Sequence, residues 1–155
     1  VPGTAIYSVQ TGSVALSAAA TKSLWLLNPV TDGFVPVEIG VSFDSSAAST
    51  AVRVDLYRTT TLGSPAGTTA TIVKVVDPNL AAATTTGLTA LSAEPTAVEI
   101  LCSWFIQPCG GTYTEQWPMG RELGAAAAGA RIGLRAVTPS AVTPNCVSYV
   151  WFQEG

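Results

Sequence analysis

Histidine is absent from this 155-residue chain, and charge is scarce. Without imidazole the commonest general base is missing, which excludes Ser-His-Asp and Cys-His arrangements. Charged residues make up 11% of the chain, against about 25% in an ordinary soluble domain. The seven basic residues are scattered, and the ten acids bring the formal net charge to −3. No cationic cluster is available to neutralise phosphates, so direct contact with nucleic acid is not expected. No apolar run reaches the roughly 18 residues needed to cross a bilayer. Arg131 and Arg135 break the most apolar late stretch, and no membrane partner is expected.

Recognised reactive motifs are missing too. There is no phosphate-binding glycine loop and no calcium loop; Asp32 and Asp44-Ser45-Ser46 read as isolated turn acids. Three cysteines without histidine make a poor zinc set, so no metal or cofactor is expected. Glu94 with Glu99, or Glu115 with Glu122, could be imagined as a glycosidase pair, but nothing in the spacing supports either over solvated surface acids. No catalytic residue is expected, and the chain reads as a non-enzyme. The odd cysteine count leaves at least one thiol free. Cys102 sits in an apolar strand pattern as a small hydrophobe. A Cys102–Cys109 bridge requires the strand to fold back, and free thiols are the favoured reading.

What is present has a period of two. Val52, Val54 and Leu56 alternate with Arg53, Asp55 and Tyr57; Ile132, Leu134 and Ala136 alternate with Arg131, Gly133 and Arg135. Val98–Phe105 and Val147–Phe152 alternate as well, but are apolar on both faces, as central or partner-covered strands are. Further strands are expected at Ala5–Gln10, Ser23–Leu27, Val35–Phe43 and Ala70–Val76, with a short one after Gly110-Gly111. Turn signals such as Asn28-Pro29, Asp77-Pro78-Asn79 and Pro144-Asn145 separate them. The expectation is an all-β chain of about eight or nine short antiparallel strands, folded as a sandwich, jelly roll or barrel. Asn79–Ala93 reads as a surface loop with a helical turn, and Gly124–Gly129 as a loop. Residues 1–12 read equally as a free arm or as the first strand, ahead of one domain over 13–155. Trp117, Met119, Arg121 and Glu122, behind the two glycines, are residues of an interface type.

Several stretches together resemble the small head decoration, or cement, proteins of tailed phages. They are Leu24–Pro29, the strand Ala51–Thr59 running into Thr60 and Thr61, Ser103–Ile106 feeding Gln107-Pro108-Cys109-Gly110-Gly111, the Gln116–Glu122 stretch, and the closing Cys146–Glu154 strand. The resemblance is one of layout over nearly the whole chain. It implies a β-sandwich of jelly-roll type, made in the host cytoplasm and assembling as a homotrimer on the outer surface of the virion's capsid. There it would bridge subunits of the major capsid protein. It also implies an N-terminal arm that touches the capsid, here Val1, Pro2, Gly3, Thr4, Ala5, Ile6 and Tyr7. A rival expectation is a carbohydrate- or receptor-binding sandwich of a phage fibre or tail, with Trp25, Trp104, Trp117 and Trp151 as stacking platforms. Their place in alternating strands argues for core instead.

Overall fold

The computed structural model describes residues 5–44, 50–61, 63–118, 123–124 and 130–155. They contain twelve strands and no helix: β1 (Ile6–Gln10), β2 (Val14–Ala15), β3 (Thr21–Asn28), β4 (Phe34–Phe43), β5 (Val52–Thr61), β6 (Ala66–Thr69), β7 (Ile72–Lys74), β8 (Thr86–Ala93), β9 (Ala97–Ile106), β10 (Thr112–Gln116), β11 (Arg131–Val137) and β12 (Asn145–Glu154). All pair antiparallel, in two six-stranded sheets. The front sheet runs β10-β4-β12-β1-β7, with β2 also on β12; the back sheet runs β6-β8-β3-β11-β5-β9. The all-β expectation therefore holds, in a sandwich-like form.

The strand count differs from eight or nine for local reasons. Ala70–Val76 holds one strand, the shorter β7 (Ile72–Lys74), while the two-residue β2 and β6 (Ala66–Thr69), which lies ahead of it, are additional. The chain leaves the back sheet after β6 and enters the front sheet at β7, changing sheets at Ala70-Thr71. Asn79–Ala93 is not wholly loop either, because its second half is β8. Leu88 and Leu91 are three apart, a helical spacing, yet both join the same apolar cluster on the outer face of the back sheet. Ala90 between them has φ of 47°, and a left-handed residue inside a strand shifts its alternation as a bulge does.

The core lies between the sheets. The front sheet contributes Tyr7, Val9, Phe34, Ile39, Val150 and Phe152; the back sheet contributes Trp25, Leu27, Val54, Leu56, Ile132 and Leu134. These are the inward members of period-two strands, and each fully buried large side chain adds about 1.5–3 kcal/mol. A bulge opposite Leu134/Arg135 makes Leu24 an extra residue, so Leu24 and Trp25 both enter the core. The register also shifts beside Trp151/Phe152, and there Pro36 is accommodated in β4. The Trp25 indole donates to Ser148 Oγ (3.1 Å) on the opposite sheet, and Ser148 Oγ donates to the Gly40 carbonyl (2.8 Å). That chain of hydrogen bonds ties the layers together at their centre.

Candidate interaction surfaces

The acids of the described residues are held by local partners. On the outer face of the back sheet, Asp55 is fully buried between two arginines. Arg53 Nε donates to Oδ1 (3.0 Å), Arg135 Nε to Oδ2 (3.1 Å) and Ser103 Oγ to Oδ1 (2.7 Å). Burial alone would raise the carboxyl, but the Ser103, Arg135 and Arg53 hydrogen bonds outweigh it and leave Asp55 below its ordinary range. Beside it Ser23 bonds both Glu94 and the Tyr57 hydroxyl (2.7 Å). The Arg135 guanidinium stands 5.7 Å from the centre of the Tyr57 ring. Burial raises the Tyr57 phenol well above its usual value, so it stays protonated.

The carboxylate pairs weighed from sequence do not converge. Glu94 is bound to Ser23, Glu99 lies 3.9 Å from Arg58, and Glu115 accepts from the Tyr113 hydroxyl (2.5 Å); Glu122 lies outside the described residues. No group of three or more His, Cys, Asp or Glu among the described residues is arranged to hold a metal. All three cysteines are free: Cys109 exposed, Cys102 half-buried and Cys146 buried. Burial, with Asp44 nearby, pushes the Cys146 thiol up to about 12. A cavity of about 460 Å³ lies between Gly63–Pro65, Gly87-Leu88 and Arg131.

Large apolar side chains do stand in solvent: Val30 alone in the β3–β4 turn, and others at three places on the sheets. The first is β9, the outermost strand of the back sheet, with no neighbour on its far side among the described residues. Phe105 is 76% exposed there and Ile100 43%. The second is β7 and the turn after it, at the far edge of the front sheet, where Val73 is 56% and Val76 54% exposed. The third is the outer face of the front sheet, where Val73, Ser8, Trp151, Glu38 and Gln116 are successive cross-strand partners. Trp151 is 37% exposed, its ring lies 6.2 Å from that of Tyr149, and the Tyr149 hydroxyl and Gln116 amide both donate to Glu38.

Of the sequence-derived contact residues, Val1, Pro2, Gly3, Thr4, Met119, Arg121 and Glu122 lie outside the described residues. Ala5 and Ile6 are half-buried. Tyr7 is a core residue rather than a surface one: its ring lies 5.6 Å from Phe152 and its hydroxyl donates to the Ala81 carbonyl (2.9 Å). Ile6–Gln10 is a strand hydrogen-bonded on both sides, to β12 and β7. Trp117 is half-buried against the core, and its amide donates to the Val37 carbonyl (3.3 Å). Among the tryptophans, Trp25 is fully buried, Trp104 and Trp117 are half-buried, and Trp151 faces out. Sequence reasoning missed Phe105 and Ile100 as surface residues. It read β9 as either central or covered by a partner because both of its faces are apolar; the structure places it last in its sheet, which no local signal marks.

No protein-family model, curated protein or solved structure matches the chain.

Proposed function

We propose that this chain is a structural protein that works by adhesion to a larger assembly. Within that class the reading is a decoration protein of a tailed-phage head, a jelly-roll sandwich that sits as a trimer on the outer capsid surface and bridges major capsid subunits. The observation that carries it is Phe105, 76% exposed on an edge strand beside Ile100, in a chain with so little charge. An apolar strand edge left uncovered invites pairing with other chains unless a partner covers it. The locally satisfied carboxylates and a buried thiol that resists ionisation support a scaffold over a reactive site.

The mechanism is thermodynamic. A protein that binds only the expanded shell stabilises that state in proportion to its occupancy and affinity. Three linked copies act at high effective concentration, so modest single contacts suffice. Residues 1–4 and Ala5 are the stretch left to serve as an arm, since Ile6–Gln10 is engaged in the front sheet. The test is cosedimentation with expanded and with unexpanded heads. Binding to expanded heads alone is expected, and no binding to either overturns the reading. A second reading, carbohydrate binding, is favoured by the outward Trp151–Tyr149 pair beside Glu38 and Gln116. A glycan array probed with the wild type and Trp151→Ala decides it: binding that the substitution abolishes establishes this reading, and a blank array removes it.

A further inference from the structure

The cavity at one end of the back sheet is a product of the topology. Strand β5 ends at Thr61, and β6 begins at Ala66 on the far side of β11, β3 and β8, so the connection between them has to cross those three strands. Residues 63–65 of that connection wall the cavity on one side, and Leu26 of β3, Leu88 of β8 and Arg131 of β11 line it from the strands being crossed. Its volume of about 460 Å³ lies within the roughly 300–1,000 Å³ of small-ligand pockets. The wall is held in place. Gly63 has φ of 66°, in the left-handed region, and sits so close to Thr96 that an added methyl would overlap the Thr96 hydroxyl. Two residues on, the ring of Pro65 fixes its own φ.

The lining has an apolar side, a polar mouth and one charge. Leu26 and Leu88 belong to the apolar cluster that Tyr57 and Leu91 complete on the outer face of the sheet, so this side is packed from behind. At the mouth the Asn28 amide donates to Thr86 Oγ1 (3.4 Å), and Thr69 is exposed. Arg131, half-buried at the first position of β11, is the one charged residue among the described lining residues, and no carboxylate joins it there. The other charged groups of the flanking elements are engaged elsewhere. Glu94 is held by Ser23 and lines a separate hollow with Lys22. Asp32 is bonded by Thr84, and Asp55 holds Arg53 and Arg135. Arg58, which pairs with Glu99, stands across from the core residue Ile132 and so on the other face of β5.

We infer that this cavity binds a small amphipathic carboxylate, with its apolar body on Leu26 and Leu88 and its carboxylate on Arg131. A guanidinium takes a carboxylate through two parallel hydrogen bonds, and one guanidinium matches one negative charge. A phosphate monoester, with nearly two charges, would leave part of its charge unpaired beside leucine. The inference goes beyond the capsid reading and does not depend on it.

The test is an amide NMR titration of the full chain with four probes: hexanoate, hexanol, hexylamine and acetate. Hexanoate is expected to shift the amides of Thr86, Leu88 and Arg131 saturably and to bind about tenfold to a hundredfold more tightly than hexanol, which has the body without the charge. Acetate, the charge without the body, and hexylamine, the body with the opposite charge, are expected to leave those amides unmoved. Arg131→Glu is expected to exchange the preference, taking hexylamine and refusing hexanoate. Thr69→Trp places an indole at the mouth and is expected to abolish hexanoate binding; unmoved amides in the front sheet verify the fold of each variant. If Thr69→Trp does not fold, the charge exchange at Arg131 decides alone. Hexanoate that leaves the three amides unmoved, that binds no better than hexanol, or that still binds Arg131→Glu overturns the inference.

Discussion

Replacing Asp55 by Asn tests whether the polar seam on the back sheet is a structural clamp. The substitution keeps the shape and removes the charge, leaving Arg53 and Arg135 to face each other over a neutral amide. A hydrogen bond to a charged group contributes about 1.5–3 kcal/mol, and Asp55 accepts from three side chains. These contributions do not add fully, and Arg53, 44% exposed, retains water as an alternative partner. The expected loss is therefore about 3–4 kcal/mol, within the roughly 3–5 kcal/mol typical of removing one member of a buried ion pair. For a chain of this length that is a fall in Tm of roughly 10 °C. The assay is urea unfolding followed by tryptophan fluorescence, with Trp25 as the buried reporter. Arg135→Ala, at a side chain 20% exposed, is expected to cost more than Arg53→Ala, which should stay under about 1 kcal/mol. The pH dependence has a definite sign. Because the folded carboxyl is held below its unfolded value of about 3.9, its stabilisation is complete above that pH and is lost as pH falls through the lower folded value. Asp55→Asn should flatten that acid limb. A variant within about 1 kcal/mol of wild type, or an unchanged acid limb, would refute the clamp.

Three further perturbations read other parts of the structure. A methyl added at Gly133 would sit 2.6 Å from the ring and hydroxyl of Tyr57, which Ser23 also hydrogen-bonds, so Gly133→Ala should cost about 1–3 kcal/mol in the same unfolding assay; Gly12→Ala is no clean control because of its positive φ, and Gly124→Ala, which meets nothing within 4 Å among the described residues, serves instead. In a thiol titration with an aromatic disulfide, Cys109 should react at once, Cys102 slowly and Cys146 only after denaturant is added. Glu154 accepts from the amides of Thr84 and Thr85 (both 2.8 Å), anchoring the approach to β8 on the last strand, so Glu154→Gln should lower stability by about 1–2 kcal/mol and speed amide exchange at Thr84 and Thr85.

The layered all-β architecture was legible because a period of two survives wherever one face of a strand is buried. β5, β11 and β12 carry that signal, and their inward residues are the core. β8 was illegible because a left-handed alanine breaks its alternation and imitates a helical spacing. The sheet change between β6 and β7 was hidden because the two share one unbroken Thr-, Ile- and Val-rich run. The interaction surfaces were less legible still. Phe105 and Trp104 are neighbours in one apolar strand and so face opposite ways: Trp104, across from Val54, packs on the core, while Phe105, across from Arg53, stands on the outer face of the back sheet. Tyr7 shows the converse. The resemblance made it part of a capsid-contacting arm, whereas β1 is a strand of the front sheet and Tyr7, like Val9, falls on its inward face. Sheet order is a non-local property, and single-strand patterns do not encode it.

Phage heads before and after expansion, each incubated with the purified chain and pelleted, give the most direct measurement. Saturable copelleting with expanded heads, absent for the unexpanded form, is the predicted result. A chain that stays in the supernatant with both contradicts the account.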